Sequence, residues 1–220
     1  MKKKIRLTAG RIGKRRKSGS AAAKAPSSRA AAADAARLVI RRLRARLAQA
    51  EARISDLEAA ADIDFLLEIP NRRGFERELN RAIAYIHRYR AGGALVVLDV
   101  DRLKPINDAF GHAAGDRVLK AVVAALLRQV RASDVIGRLG GDEFALLLWN
   151  LSETDAHAKA ASLEQAVDQL SFVFDGQVVK TGASAGVTML GPHAQAGAAL
   201  EQADRAMYVR KAQRRHEAEP

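Results

Sequence analysis

The chain has 220 residues, no cysteine and a formal net charge of +12, and 48% of its residues are hydrophobic. This length fits one ordinary domain with an appendage or two small domains, and the lack of cysteine excludes disulfides and cysteine metal sites. No apolar run reaches the about 18 residues of a membrane-spanning helix. The basic start, residues 1–17, lacks the apolar stretch of a signal peptide. These features predict a cytoplasmic protein.

The positive charge is concentrated at the N-terminus. Residues 1–46 hold 16 Lys and Arg and a single acid, Asp34, so that the remainder carries 21 basic and 24 acidic residues. Residues 1–33 contain hardly any large apolar residue and are predicted to be a disordered basic arm. Such an arm could bind nucleic acid or an anionic membrane surface, or be a solvated tail. The composition leaves these alternatives open.

Residues 34–63 contain no Gly or Pro and predict a helical stalk. Its apolar positions follow a heptad: Ile40, Leu43, Leu47, Ala50, Ile54, Leu57 and Ala61. Isoleucine at position a and leucine at position d favour a parallel two-stranded coiled coil, and therefore a homodimer. The alternative is an amphipathic helix that packs on its own domain. A signalling partner could dock on this helix, but nothing in the sequence identifies the input signal.

Residues 64–220 alternate between helical and strand patterns. In chain order, the predicted elements are a helix over 74–89, a buried strand over 94–100, a helix over 116–130, strands over 135–138 and 143–149, a helix over 154–170, strands over 171–174 and 178–189, and a helix over 198–214. This order predicts an α+β domain with a mostly antiparallel central sheet flanked by helices.

Carboxylates occur at two points beside the predicted strands. Alternation along the first strand places Asp99 and Asp101 on one face, with Val100 opposite. The tight turn Gly140-Gly141-Asp142-Glu143 carries two further acids. Each feature alone is usually a solvated strand end or a simple turn. If the two strands are neighbours, however, Asp99 and Asp142 converge into an all-oxygen site that suits Mg²⁺ and phosphoryl or nucleotidyl transfer.

The segment Arg138-Leu-Gly-Gly-Asp-Glu-Phe144 resembles the signature of the GGDEF family, the diguanylate cyclases. Five further segments resemble family motifs and follow in the family's order: Pro70–Phe75, Asp99–Asp108, Gly111–Asp116, Ser184–Gly186 and Ala203–Lys211. The resemblance implies a nucleotidyl-cyclase-like palm fold. It also implies a homodimeric enzyme that condenses two GTP into cyclic di-GMP and releases two pyrophosphates.

The resemblance also implies a metal site and a catalytic set. Asp99, the Val100 carbonyl and Asp142 would hold Mg²⁺, with Mn²⁺ as the alternative ion. Asp142, Glu143 and Lys104 would be the catalytic residues.

The substrate-binding residues are implied in the same way. Asn107 and Asp116 would bind the guanine edge, since a carboxylate accepts from the ring N–H and the exocyclic amine while an amide can donate and accept. This pairing disfavours an ATP cyclase. The phosphate-binding set would be Lys104, Lys211, Arg215 and the backbone amides of Gly140 and Gly141.

The segment Arg131-Ala-Ser-Asp134 resembles the family's inhibitory site for the product cyclic di-GMP. From the residues alone, the alternative is an ion pair that ends a helix. A rival function for the whole chain is a catalytically silent receptor or scaffold that binds cyclic di-GMP there. The intact Gly140–Phe144 motif argues against this rival, because a silent domain has no need for both acids.

The chain departs from the family pattern at three places. Leu67-Glu68 stands where the family usually has Thr-Gly, Leu103 stands where it has Phe, and Arg214 stands where it has the Gly before Arg215. None of the departures removes an implied metal ligand. They concern the joint between stalk and domain, the packing near Lys104, and the reach of Arg215.

Overall fold

The computed structural model describes residues 28–218, with side chains described over 35–51, at 53 and over 61–217. The chain divides into two compact units, one ending at Ala52 and the other beginning at Arg53. Residues 1–27, most of the predicted basic arm, lie outside the described residues. No helix within residues 28–218 is long and apolar enough to cross a membrane.

Helix α1 (Ser28–Ala60) includes most of the predicted stalk and begins six residues earlier than the sequence pattern suggested. Three of its heptad residues, Ile40, Leu43 and Leu47, are exposed. The heptad residues Ile54 and Leu57 are among the side chains that the structure does not describe. The coiled coil therefore stays a prediction.

The rest of the chain forms an α+β domain, which confirms the predicted fold class. Its elements are α2 (Arg72–Tyr89), β1 (Gly93–Asp101), α3 (Leu103–Phe110), α4 (His112–Leu127), β2 (Val135–Gly140), β3 (Glu143–Trp149), α5 (Glu153–Asp168), β4 (Ser171–Phe174), β5 (Gln177–Lys180), β6 (Gly182–Leu190) and α6 (Ala196–Ala218). Four strands form one sheet in the order β2-β3-β1-β6, and their pairs are antiparallel. Strands β4 and β5 form a separate two-stranded hairpin.

The structure differs from the predicted elements in two places. The run predicted as one strand over 178–189 is divided between β5 and β6, which belong to different sheets. The division falls at Thr181, whose buried hydroxyl donates to the Asp101 carbonyl oxygen at 2.8 Å and redirects the chain. Helix α3 was not among the predicted elements. It is short and begins after Arg102, which has a left-handed φ of 65°.

The central strand β1 divides the core into two layers. Val96, Leu98 and Val100 belong to the cluster that includes residues of α3, α4 and α5. Leu95 and Val97 belong to the cluster that includes residues of α2 and α6. Because side chains alternate along a strand, Asp99 shares the face of α2 and α6, and Val100 points to the opposite face.

Helix α6 packs very closely on β6 at Gly186. A Cβ at this position would lie 2.1 Å from the Met207 backbone nitrogen and 2.2 Å from the Ala203 carbonyl oxygen. Both atoms belong to the helix backbone, which cannot move aside as a flexible side chain could. Glycine at residue 186 is therefore required for α6 to lie against the sheet.

We expect Gly186→Ala to lower the free energy of unfolding by about 3 kcal/mol, because the added methyl group must push the α6 backbone away from β6. Urea denaturation of the full chain measures this change. The control is Gly197→Ala within α6, where a Cβ would meet nothing within 4 Å. That variant should keep or slightly raise the stability, since alanine favours a helix. Equal midpoints for Gly186→Ala and the parent protein would contradict the packing argument.

Candidate active site

The turn that carries Asp142 lies beside the end of β1. Strands β1 and β3 pair in a register that sets Asp99 opposite Glu143. The Val100 N–H also donates to the Asp142 carbonyl oxygen at 3.0 Å. The structure thus brings the predicted residues Asp99, Val100 and Asp142 together, as expected if the two strands are neighbours.

Arg138 hydrogen-bonds to the backbone of the same turn. Its Nε and Nη2 donate to the Gly141 carbonyl oxygen at 3.0 and 2.7 Å, and its Nη1 donates to Asp64 Oδ2 at 3.0 Å. Asp64 in turn accepts from the Leu66 and Leu67 N–H groups through Oδ1. The joint before the domain and the 140–143 turn are therefore connected through one guanidinium. The sequence had suggested no role for Asp64, because the partner lies 74 residues away along the chain.

Asp99 is buried at the end of β1, and Lys211 Nζ donates to its Oδ1 at 2.5 Å. Burial raises the pKa of the Asp99 carboxyl above its ordinary value; the hydrogen bond and charge of Lys211 offset this, while Asp142 and Asp101 raise the pKa further. Lys211, predicted to bind the triphosphate, is thus in contact with Asp99. The site concentrates negative charge that a bound cation would stabilise.

Glu143 adds a further carboxylate to this group. Burial raises the pKa of Glu143, and the nearby charges of Asp204, Asp99 and Asp142 raise it further, while Arg72 lowers it. Glu143 is therefore beside the predicted metal ligands, as expected from the sequence.

The donor set fits a hard cation that keeps part of its hydration. No group of three or more His, Cys, Asp or Glu side chains among the described residues is arranged to hold a metal ion. The predicted set instead offers two carboxylates, from Asp99 and Asp142, and the Val100 carbonyl oxygen. Mg²⁺ is usually bound in this way, by one or two carboxylates, several waters and substrate phosphates.

A cleft of about 540 Å³ opens beside these acids. Six of its lining residues are cationic: Arg102, Lys104, Lys180, Lys211, Arg214 and Arg215. The N-terminus of α3 also lies at this cleft, because the α3 residues Leu103, Lys104 and Pro105 line it. Its first turn has no acidic residue and no side-chain cap from Arg102. Unsatisfied N–H groups at a helix N-terminus favour phosphate, so the cleft is suited to a polyphosphate.

The two residues predicted to bind guanine lie on neighbouring helices. Asn107 is on α3 and Asp116 is on α4, and neither lines the phosphate cleft. The Oδ1 of Asn107 is buried and has no hydrogen-bond partner among the described residues. A Cβ on Gly115 would lie 2.0 Å from this oxygen, so glycine there leaves space for the amide. A buried polar atom without a partner is costly, and a bound ligand would satisfy it.

The Arg131–Asp134 segment forms a tight turn rather than a side-chain ion pair. The Arg131 N–H donates to Asp134 Oδ2 at 2.9 Å, and the Trp149 N–H donates to Oδ1 at 3.2 Å. Within the described contacts, the Arg131 guanidinium makes no ion pair with Asp134. Both residues line a cavity of about 320 Å³, to which Glu68 and Pro70 also contribute.

The departures from the family pattern have physical consequences. Leu67 and Leu103 are buried in the core, so both replacements are apolar packing residues. Glu68 has a left-handed φ of 57°, a conformation that glycine adopts freely. A residue with a side chain, such as glutamate, pays about 1 kcal/mol to adopt it. Arg214 pairs with Asp168 at 2.7 Å and with Glu164 at 3.3 Å, while the exposed Arg215 lines the cleft.

The fold is an α+β palm in which acids at a strand end lie beside a cationic cleft. The family described as "Diguanylate cyclase, GGDEF domain" matches residues 61–217. The chain therefore belongs to the GGDEF domain family of diguanylate cyclases.

Individual relatives agree with this assignment. The chain is 38% identical over 159 residues to the probable diguanylate cyclase DgcE of Escherichia coli, covering 72% of this chain and 14% of that protein. It is 40% identical over 171 residues to the diguanylate cyclase TpbB of Pseudomonas aeruginosa, covering 75% of this chain and 39% of that protein. The match thus spans well under half the length of these curated relatives.

A solved structure that contains a coiled coil and a GGDEF domain is also similar to this chain. The coiled coil and GGDEF domain of DgcB from Caulobacter crescentus, in complex with c-di-GMP, superposes with a TM-score of 0.65 at 27% identity. The match covers 77% of this chain and 94% of that chain.

We expect Gly115→Ala to weaken guanine-nucleotide binding about tenfold, because the new methyl group must displace the Asn107 amide. Calorimetric titration with GMP measures the loss, and the protein should stay folded because the obstructed atom is a side-chain end. In an Asn107→Ala background, Gly115→Ala should cause no further loss, since the two changes act on one interaction. Additive losses would contradict the assignment of Gly115 as the residue that leaves space for Asn107.

Proposed function

We propose that this chain is an active diguanylate cyclase, which condenses two GTP into cyclic di-GMP and releases two pyrophosphates. The observation that carries the proposal is the convergence of Asp99, Val100 and Asp142 beside a cationic cleft. We also propose the division into a basic arm over 1–33, a coiled-coil stalk over 34–63 and a cyclase domain over 64–220.

Each domain would bind one GTP and orient it at two points. Asn107 and Asp116 would hold the guanine edge through hydrogen bonds from and to their amide and carboxylate groups. Lys104, Lys211 and Arg215 would hold the triphosphate, together with the amides of the 140–141 turn. A Cβ at Gly140 or Gly141 would meet nothing within 4 Å, so the protein itself leaves this approach open.

The reaction joins two nucleotides, so a second subunit is needed. The 3′-hydroxyl of one GTP attacks the α-phosphorus of the other, the P–O bond to the β-phosphate breaks, and the hydroxyl proton is released. The 3′-hydroxyl of the second nucleotide then attacks the α-phosphorus of the first, which releases the second pyrophosphate and closes the ring. A divalent ion held by Asp99, Asp142 and the Val100 carbonyl would acidify the hydroxyl and stabilise charge on the phosphate; Mg²⁺ suits this donor set, and Mn²⁺ would also fit.

The stalk provides the means to bring two domains together. Ile40, Leu43 and Leu47 are exposed on α1 at heptad spacing, as expected for a parallel coiled coil that a second copy would cover. The same surface could receive a signalling partner.

Product feedback is the proposed role of Arg131 and Asp134. Both line one cavity, where the guanidinium could bind a phosphate or a guanine. The rival function, a silent receptor for cyclic di-GMP, would use this cavity alone. The assembled acids near Asp142 favour the enzyme, because a receptor does not need them.

Binding of nucleic acid or a membrane by residues 1–33 would show as a salt-sensitive interaction that is lost when these residues are deleted.

We expect Asp142→Asn to abolish cyclic di-GMP formation, because the change removes one of two proposed carboxylate ligands while preserving the side-chain shape. Purified protein, stripped of bound cyclic di-GMP, is incubated with GTP and Mg²⁺, and products are followed by chromatography. The matched control is Asp175→Asn in the β4–β5 turn, where the left-handed φ of 47° suits asparagine equally well. Substantial activity in Asp142→Asn would refute the metal assignment.

We expect Arg131→Ala to leave the initial rate nearly unchanged and to raise the cyclic di-GMP concentration needed for half-inhibition at least tenfold. The reason is that the guanidinium is exposed and, among the described residues, forms no hydrogen bond or ion pair with the 140–143 turn. Arg128→Ala, an exposed charge loss at the end of α4, is the control. Feedback equal to that of the parent protein would remove Arg131 from the inhibitory site.

A further inference from the structure

We propose that Lys180 binds the β- and γ-phosphates of the bound GTP from the hairpin side of the cleft, and so assists the departure of pyrophosphate. This inference rests on the proposed function and adds a phosphate ligand that the sequence motifs do not assign. Lys180 is the last residue of β5 and lines the cleft of about 540 Å³ together with Asp142, Lys104 and Lys211.

The backbone at Lys180 is fixed next to the catalytic strand. The adjacent Thr181 is buried and donates its hydroxyl to the Asp101 carbonyl oxygen at 2.8 Å. The following residue, Gly182, pairs with Asp101 in the main sheet. The end of β5 is therefore held where β1 ends, two residues beyond Asp99.

Lys180 has a charge available for a ligand. Its side chain is exposed, and the ammonium forms no hydrogen bond or ion pair within the portion of the chain that the structure describes. Lys104 and Arg215 share this property, whereas Lys211 donates to Asp99 at 2.5 Å. The six cations outnumber the three aspartates that line the cleft, Asp101, Asp142 and Asp168. A polyphosphate would compensate the remaining positive charge.

Arg214 lines the same cleft but is already engaged. Its Nη2 donates to Asp168 Oδ1 at 2.7 Å, and its Nη1 lies 3.3 Å from Glu164 Oε2. A Cβ on Gly182 would lie 2.9 Å from Asp168 Oδ1 and 3.2 Å from Arg214 Nη2, so the glycine leaves space for this pair. Arg214 therefore anchors α6 through Asp168 and Glu164, whereas the ammonium of Lys180 in the same cleft has no such partner among the described residues.

The positive charge of Lys180 suits the chemistry of the reaction. When the bond between the α-phosphorus and the bridging oxygen breaks, negative charge develops on the pyrophosphate. A lysine ammonium is a compact charge with three donors on a flexible stem, which suits terminal phosphates without strict geometry. Stabilising the leaving group in this way lowers the barrier of the step.

The test compares binding of GTP, GDP and GMP, each with Mg²⁺, to the full chain and to Lys180→Ala, Lys180→Arg and Lys159→Ala. Lys159 on α5 is the control, because it carries the same charge and does not line the cleft. We expect Lys180→Ala to weaken GTP binding about tenfold and to leave GMP binding unchanged, since only the outer phosphates would lose a contact. Lys180→Arg should recover GTP binding to within about threefold, and Lys159→Ala should match the parent protein.

Equal losses for GTP and GMP, or no loss for GTP, would overturn the role of Lys180. Turnover of GTP by the parent protein separates this outcome from failure of the proposed function. If the parent protein forms cyclic di-GMP and Lys180→Ala binds GTP normally, the cyclase activity is supported and the role of Lys180 is refuted. If the parent protein forms no product while the loss of affinity in Lys180→Ala is specific to GTP, the phosphate-binding role of Lys180 is supported and the cyclase activity is refuted.

Discussion

The antiparallel pairing of β1 with β3 is the constraint on which the candidate site depends. This register sets Asp99 opposite Glu143 and allows the Val100 N–H to reach the Asp142 carbonyl oxygen. A slip of one residue would turn Asp99 to the other face of the sheet. Each face of β1 packs into its own close-packed core cluster, so such a slip would force both clusters to repack.

Charge is arranged around this pairing so that acids and cations come from different elements. The acids stand at the end of β1 and in the 140–143 turn, whereas the cations come from α3, α6 and the β4–β5 hairpin. Burial raises the pKa of Asp99 in the absence of a metal ion, and Lys211 compensates part of its charge. A metal ion would compensate the acids, and a polyphosphate would compensate the six cations, which outnumber the three aspartates that line the cleft.

Local patterns were sufficient to predict the fold class and most elements, because alternation and helical periodicity follow from burial. Asp99 and Asp142 were also predictable, since a strand end and a glycine turn mark them in the sequence. Other features depend on contacts between distant segments. Asp64 meets Arg138 only in the folded chain, and the division between β5 and β6 depends on the contact of Thr181 with Asp101. Lys180 belongs to no motif, so only its position in the cleft distinguishes it from a surface lysine.

The separation of the β4–β5 hairpin from the main sheet has an evolutionary consequence. Its two strands pair with each other and contribute no strand to the catalytic sheet. Substitutions or length changes near its tip therefore leave the register of β1 and β3 intact. Descendants of this chain can therefore diversify the tip of the hairpin by small mutational steps while Asp99 and Asp142 keep their places at the ends of the paired strands.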